Sequence, residues 1–416
     1  MQIEMHKSAL IRIANLSVFL FVMLLFFVFE REELLINMLS DIDNYGSSLL
    51  NISLFALTLT LSACSLYGRW SGNKLFLCFM LLTMYVATVT TIIGPPKIES
   101  VSSSIALVAG TTLPFLLCHF MYNATLRLSS KTILITIGIF IFLLGCIYTL
   151  SFLKIIRHIL LENYRGGGPY LFLMLLPFVM LFSQKIIKMI FIVLIMLCIV
   201  SSMKRGAILA GLLSITVYYI VGTLQSKNSI PINKIIRLSA AIALIVIFFI
   251  TFDAFTGGTI IERFANISED GGSKRDIVYE VVIMMIINSD FIEILFGHGW
   301  NSVVYYSPLN LSAHNDYLEI FYDCGLLAFL LFCSLIVIIF HKTKELIQKK
   351  SPLSPAFAAS CVIIVINTMV SHVFLYTWYI SAIALFWGYC IGIDRKAAMD
   401  AESRELDSMN FKAADK

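Results

Sequence analysis

His314 and Asn315 lie near the start of the segment LSAHNDYLEIFYDCG, which runs from Leu311 to Gly325 and leads into an apolar stretch. Ser312 is a natural N-cap, so the pattern predicts a helix with His314 and Asn315 in its first turn. The unpaired N–H groups and the dipole of a helix N-terminus favour bound anions. A histidine there can accept a proton or donate a hydrogen bond to a phosphate. We therefore predict a functional His314; the alternative is a histidine that only hydrogen-bonds a loop carbonyl.

Basic residues gather in three consecutive connections that precede this segment. They are Lys154, Arg157 and Arg165; Lys204 and Arg205; and Arg263, Lys274 and Arg275. Arg205 lies in a very short turn, SSMKRGAIL, and Arg275 follows a capping-box-like Ser273-x-x-Asp276 that predicts a helix over about 275–289. Grouped cations favour a phosphate or diphosphate ligand. The alternative is scattered basic residues, with Arg205 only snorkelling at a membrane surface.

The amino-acid composition indicates that these segments belong to a protein embedded in a membrane. The 416 residues are 59% hydrophobic and 13% charged, whereas soluble domains carry about 25% charged residues. This excludes a water-soluble enzyme, and the high hydrophobicity excludes a disordered chain. The net charge of +4 is too small to indicate a nucleic-acid partner. The sequence therefore predicts an integral membrane protein whose first partner is the lipid bilayer.

An all-α polytopic membrane protein with about twelve transmembrane helices is the predicted fold class, since a helix needs roughly 20 apolar residues to cross the hydrocarbon core. The predicted domain order is membrane helices one to nine over 1–255, a long loop with helical segments over 256–323, membrane helices ten to twelve over 324–393, and a tail over 394–416. The predicted spans lie near 10–29, 48–67, 75–94, 104–122, 132–153, 168–184, 187–203, 206–223, 237–255, 324–340, 356–376 and 377–393.

The distribution of Lys and Arg predicts the orientation of the chain. The most basic connection, HKTKELIQKK at 341–350, favours a cytoplasmic position for that segment and for both termini. The long loop and the three basic connections then face outward. Outward loops normally contain few basic residues, so the concentration of Lys and Arg in these connections favours an outward site for an anionic ligand.

The remaining motifs indicate less. His298 in FGHGW and His119 are interpreted as structural, and His372 is a weaker candidate for the His314 site. The glycines after Arg165 lack the Lys-Ser/Thr of a phosphate-binding P-loop. The outward loops contain no HExxH or GxSxG motif, so these motifs predict neither a metal nor a cofactor.

The order of three motifs resembles the bacterial O-antigen polymerase and O-antigen ligase superfamily, whose members are membrane glycosyltransferases that use lipid-linked sugars. The motifs are SSMKRGAILAG, RF…SKRDIVYEVV…FGHGW and AHNDYLEIFYDCGLLAF, spread over roughly Lys204 to Phe329. The resemblance implies a GT-C-like bundle with one long outward loop in the bacterial inner membrane, with a periplasmic active site. The donor would be an undecaprenyl-diphosphate-linked oligosaccharide. No metal is implied, since cationic side chains can neutralise the leaving group.

The resemblance also implies residue roles. Arg205 and Arg275 would hold the diphosphate, and His314 would activate the acceptor hydroxyl or assist the departing diphosphate. His314 and Arg275 are the predicted catalytic residues. The predicted residues that bind the diphosphate or the glycan are Arg205, Lys204, Arg165, Arg157, Lys274, Asn315 and Tyr317. A chain-length regulator and a flippase of the same pathway are candidate partners.

Three functions fit this sequence to different degrees. A polymerase joins one lipid-linked repeat unit to another, whereas a ligase moves the finished chain to lipid A–core; the motifs favour a polymerase. A twelve-helix sugar or polysaccharide transporter is less favoured. Its support is the even number of spans and GRWSGNK at 68–74, a porter-like loop that lacks the expected Asp. Membrane-embedded charges, the usual mark of coupled transport, are scarce.

Overall fold

The fold is described by a computed structural model that covers residues 58–62, 68–93, 101–162, 169–202, 204–225, 271–374 and 376–414, with isolated positions elsewhere. This described part is helical and contains no strand, which confirms the predicted all-α class. Its helices are α1 (Lys74–Ile92), α2 (Val101–Arg127), α3 (Ser130–Glu162), α4 (Pro169–Met180), α5 (Lys185–Ser201), α6 (Arg205–Leu224), α7 (Gly271–Ile287), α8 (Phe291–Phe296), α9 (Ser302–Tyr306), α10 (Asp316–Gln348), α11 (Ser354–Val370) and α12 (Thr377–Ala414).

The helices include several that can cross a membrane. Within the described ranges, four are long and apolar enough: Lys74–Ile92, Ser130–Leu150, Arg205–Leu224 and Asp316–Gln348; Tyr170–Met180 and Ser354–Val370 are shorter apolar helices. The chain is therefore a multi-pass membrane protein. The predicted spans near 10–29, 48–67 and 237–255 lie wholly or mostly outside the described residues, so the total of twelve stays a prediction.

Two predicted segments differ in length from the helices observed. The span predicted near 168–184 is the shorter helix α4, which ends at Met180, three residues after Pro177. After Met180 the N–H groups of Leu181 and Phe182 bond carbonyls only three residues earlier, so the helix tightens into a turn before α5 begins at Lys185. At the C-terminus, α12 continues to Ala414, so the predicted tail is helical as far as that residue.

The helices α2 and α12 form the most extensive pair in the described part. Gly388 and Gly392 form a G-x-x-x-G pattern on α12. A Cβ atom at Gly388 would collide with the backbone of Cys118, and one at Gly392 with Thr125 and Tyr122. Small residues allow two helix backbones to approach closely in a membrane. This close approach fixes α12 against α2.

The bundle has two ends of different character. At one end, Lys342 on α10 donates to Asp394 on α12 at 2.7 Å, and Lys396 reaches the Leu128 carbonyl beyond α2 at 3.3 Å. At the other end, α4, α6, α7 and α10 contact residues 369–374, at the end of α11 and just after it. Of the residues singled out by the sequence, His314, Lys204, Arg205 and Arg275 belong to this second end.

Candidate active site

The start of α10 places His314 just outside the helix. Asn315 is the N-cap, and its side-chain oxygen accepts the N–H groups of Tyr317 and Leu318 at 3.0 and 3.3 Å. The predicted cap, Ser312, is therefore wrong; its hydroxyl is engaged elsewhere, and an asparagine next to the helix satisfies two N–H groups at once. His314 has a φ of +52°, a left-handed conformation that costs a non-glycine residue about 1–3 kcal/mol.

The helix α7 carries Arg275 to the same end. It was predicted over about 275–289 with Ser273 as its cap, but it begins earlier, at Gly271, so Ser273 lies inside the first turn. The hydroxyl of Tyr279, one turn beyond Arg275, donates to the carbonyl of Met369 at 3.0 Å. This bond holds α7 against the end of α11.

Four basic or imidazole side chains converge here, and we call His314, His372, Arg275 and Lys204 the cationic centre. The rings of His314 and His372 are 4.9 Å apart between centroids. Lys204, the N-cap of α6, places its Nζ 5.0 Å from the centroid of the Tyr170 ring. The charges of Arg275 and Lys204 both act on His314. The structure thus joins residues from α6, α7, the segment after α11 and the start of α10.

The protonation of His314 follows from these neighbours. Its side chain is exposed at the protein surface, yet protein atoms displace much of the surrounding water. This desolvation, followed by repulsion from His372, Arg275 and Lys204, lowers the pKa of His314 from 6.5 to about 4. His314 is therefore neutral at neutral pH, so that one ring nitrogen can accept a proton.

Buried carboxylates hold the backbone around the cationic centre. Asp316 Oδ2 accepts the N–H groups of Val373 and Phe374, both at 2.9 Å. Glu319 accepts the N–H of Ala313. Buried backbone N–H groups must be paired, so these two side chains fix both loops that carry the histidines.

His372 lies between these carboxylates and the loop before α10. Its Nε2 is 2.8 Å from Ser312 Oγ, and its Nδ1 is 3.2 Å from Glu319 Oε2 and 3.6 Å from Asp316 Oδ1. The imidazole is buried, whereas His314 beside it is exposed. His372 is therefore a buried support for the exposed His314.

A third carboxylate extends this arrangement along α10. Asp323 accepts the N–H groups of Asn301 and Val303 at 2.7 and 3.0 Å. Asp316, Glu319 and Asp323 have the spacing i, i+3 and i+7, which places them on one face of a helix. None of the three was predicted as a site residue, although acidic residues at helical spacing in an apolar segment are a signal that the sequence contains.

His298 is engaged by the fold, as predicted for a structural histidine. Its Nδ1 is 3.1 Å from the carbonyl of Tyr322, and its ring stacks on the Tyr322 ring at 4.0 Å between centroids. Its Nε2 lies 3.3 Å from both Ser289 Oγ and Glu293 Oε2. Both ring nitrogens therefore have partners within the protein.

The other predicted site residues have different positions. Arg205 is the first residue of α6, where a Cβ atom at Gly206 would lie 3.0 Å from Val370; this end of α6 therefore packs beside the His372 segment. Tyr317 packs on Phe332 inside the bundle, at 5.1 Å between ring centroids, and is not brought to the cationic centre. Arg165 lies outside the described residues, and only the backbone is described for Arg157 in α3 and Lys274 in α7.

The comparisons with known proteins concern the same part of the chain. Residues 190–333 match a family model described as O-antigen ligase. This stretch contains Lys204, Arg205, Arg275 and His314, whereas His372 lies beyond it. No curated protein matches the chain. The family match confirms the resemblance of this chain to the O-antigen polymerase and O-antigen ligase superfamily.

Proposed function

We propose that this protein is a surface-polysaccharide (O-antigen) polymerase, a membrane glycosyltransferase that joins undecaprenyl-diphosphate-linked repeat units at the outer face of the inner membrane. The observation that carries the proposal is the cationic centre, where an exposed neutral His314 adjoins Arg275 and Lys204. All three lie in the stretch that matches the family model. Both termini would be cytoplasmic and the cationic centre periplasmic.

The proposed reaction needs one base and several cations. A ring nitrogen of His314 accepts the proton of the acceptor hydroxyl as that oxygen bonds to the anomeric carbon of the donor sugar. The bond from this carbon to the phosphate oxygen breaks at the same time, and undecaprenyl diphosphate leaves with the electron pair. Arg275, Lys204 and Arg205 neutralise the charge that develops on the leaving group, so the reaction uses no metal.

The supporting residues have lesser roles in this proposal. Arg157, Arg165 and Lys274 would strengthen the field that attracts the anionic donor, and Asn315 would contact the substrate. His372 and Glu319 would act as positioning residues, because they fix the loops on both sides of His314. The domain boundaries given above and the partnership with a chain-length regulator and a flippase belong to the same proposal.

A ligase is the second candidate, and the description of the matched family favours it. A ligase would use the same donor and the same leaving group, with lipid A–core as the acceptor. The cationic centre serves the donor side of both reactions, so it supports either function. The identity of the acceptor distinguishes them.

A gel of surface lipopolysaccharide tests the proposal. The gene is deleted and restored on plasmids that carry the natural chain, His314→Ala or, as a control, His341→Ala at an exposed position near the other end of α10. For a polymerase, the deletion strain should show lipid A–core with a single repeat and no ladder. The natural chain and His341→Ala should restore the ladder, and His314→Ala should not. Bare lipid A–core with chains retained on the lipid carrier would instead indicate the ligase. An unchanged ladder would contradict both and favour the transporter.

A further inference from the structure

A recess in the protein surface lies beside the two helices that also carry the cationic centre. This cavity of about 500 Å³ lies between α7 and the segment from α8 to α10. We call it the side groove and define it by Glu280, Asn288, Glu293, Tyr306 and Tyr322. Its volume is within the range of ligand pockets, about 300–1,000 Å³.

The side groove is adjacent to the cationic centre along two helices. On α7, Glu280 is five residues from Arg275, or about 8 Å along the axis at 1.5 Å per residue. On α10, Tyr322 is six residues from Asp316, or about 9 Å. Val278 and Val282 pack with Tyr322 in a small buried cluster, so the two helices are joined between the two sites. At 3.6 residues per turn the two positions named on each helix also differ by about 140° around α7 and about 120° around α10. A glycan held by its diphosphate at the cationic centre therefore has to pass around this buried cluster to extend into the side groove.

The side groove has the opposite charge to the cationic centre. Two carboxylates line it, and its described lining includes no Lys or Arg. A second phosphate would be repelled there. Carboxylate oxygens and the Asn288 amide are instead partners for hydroxyl groups, since the first accept hydrogen bonds and the second both donates and accepts.

Aromatic rings supply the apolar part of the groove. Tyr306 is exposed, with 52% of its surface accessible, and the His298 ring lies 6.3 Å from it between centroids. The Tyr322 ring is fixed in place because it stacks on the His298 ring. A pyranose ring has apolar C–H faces and a rim of hydroxyl groups, so it needs this combination of aromatic surface and polar edge.

We propose that the side groove binds uncharged pyranose residues of the glycan substrate, at a subsite separate from the diphosphate site. This inference rests on the function proposed above for its substrate class. It assigns the cationic centre to the phosphates and the side groove to the sugars. Affinity for the glycan should then survive loss of a cationic side chain, and affinity for the phosphates should survive loss of Tyr306.

Two adjacent tyrosines provide a matched pair for the test. Tyr305 and Tyr306 both lie on α9 and are similarly exposed, at 43% and 52%, but only Tyr306 lines the side groove. The full-length chain in lipid nanodiscs is titrated with a fluorescently labelled oligosaccharide of one to three repeats, released by mild acid from the polysaccharide of the host strain. Inorganic pyrophosphate is titrated separately. Thermal melting of each variant shows that it is folded.

The expected result is a loss of oligosaccharide affinity of about tenfold for Tyr306→Ala, since an aromatic contact is worth about 0.5–1.5 kcal/mol beyond its buried area. Tyr305→Ala should change it by less than twofold. Asn288→Ala, at an exposed position, should weaken it without altering either ring. Pyrophosphate binding should be the same in all three variants and weaker in Arg275→Ala.

Several results would overturn the assignment. They are the absence of saturable oligosaccharide binding to the natural chain, an equal loss in Tyr305→Ala and Tyr306→Ala, and a parallel loss of pyrophosphate binding in Tyr306→Ala. Failure of the proposed function is distinguishable from these. Oligosaccharide binding that depends on Tyr306 in a protein whose deletion leaves the ladder unchanged would retain the groove and reject the polymerase. A lost ladder with Tyr306-independent binding would do the reverse.

Discussion

Near its start, α10 anchors two neighbouring backbone segments through buried carboxyl groups, and we call these anchor points, at Asp316 and at Asp323, the first and the second corner. At one, Asp316 receives two backbone N–H groups from the segment after α11; at the other, two turns further on, Asp323 receives two from the start of α9. A histidine stands beside each corner, His314 at the first and His298 at the second. The backbone is thus fixed in the same way at both.

The side chains around the two histidines make the corners different. Arg275 and Lys204 act on His314, whose ring is exposed, whereas Glu293 and Tyr322 occupy both nitrogens of His298. One corner therefore suits an anion and a proton acceptor, and the other suits an uncharged polar ligand. A carboxylate that fixes a loop is common to both; the neighbouring charges decide the chemistry.

Loss of the two imidazoles should separate the corners most clearly. His314→Ala should lower the rate of glycan transfer by about 10²–10⁴-fold, the usual contribution of a general base. At saturating substrate, His298→Ala should leave the rate within a few-fold and lower the melting temperature, because it removes hydrogen bonds inside the fold. Polymer formation from purified lipid-linked repeat units measures the rate. Similar rates for the two variants would remove the distinction between the corners.

Removal of one cation should have the next largest effect. Arg275→Ala should lower the transfer rate by about 10²–10³-fold, the range for loss of one group that stabilises developing negative charge. Arg275→Lys keeps the positive charge but loses the bidentate hydrogen bonding of the guanidinium group, so it should recover part of the rate. Lys349→Ala, at the opposite end of α10, is the control and should be neutral. Full activity in Arg275→Ala would contradict its place at the leaving group.

The sequence predicted the elements better than their connections. Apolar windows predicted α1 and α6 well, because a membrane helix is a single continuous stretch of apolar residues. The convergence of Lys204, Arg275 and His314 depends on packing between distant segments, and the sequence alone offered only their shared outward side. The packing of Tyr317 against Phe332 could not be predicted from the sequence, since an aromatic residue in a first helical turn suits a core and a ligand equally well.

The two carboxylate corners should contribute similarly to stability. Asp316→Ala and Asp323→Ala each leave two backbone N–H groups without an acceptor, and each unpaired buried group costs about 1–3 kcal/mol. We expect each to lower the free energy of unfolding by about 2–6 kcal/mol. Asp316→Asn should cost less than Asp323→Asn, because one oxygen of Asp316 accepts both N–H groups whereas Asp323 uses a separate oxygen for each. Chemical denaturation in detergent measures this. At equal folded protein, activity should fall in Asp316→Asn and persist in Asp323→Asn; equal activities would show that only stability is at stake.

The smallest expected effect is on the pH dependence of the first corner. His314 must be neutral to accept a proton, and with its pKa at about 4 it stays neutral down to mildly acidic pH. The acid limb of kcat/KM, which reports the unbound enzyme, should therefore lie well below 6.5. Three neighbours on different elements cause part of this shift: His372 after α11, Arg275 on α7 and Lys204 at the start of α6.

Removing a positive charge makes protonation of His314 easier, so Lys204→Ala should raise the pKa of His314 and move the acid limb to higher pH. Lys204→Arg keeps the charge and should leave the limb in place. Arg275→Ala should shift it in the same direction as Lys204→Ala, on the small residual rate. The profile is measured with soluble acceptor under kcat/KM conditions. A limb that moves to lower pH in Lys204→Ala, or that moves equally in Lys204→Arg, would mean that His314 does not titrate in the field of these cations, and the two corners would then differ in exposure alone.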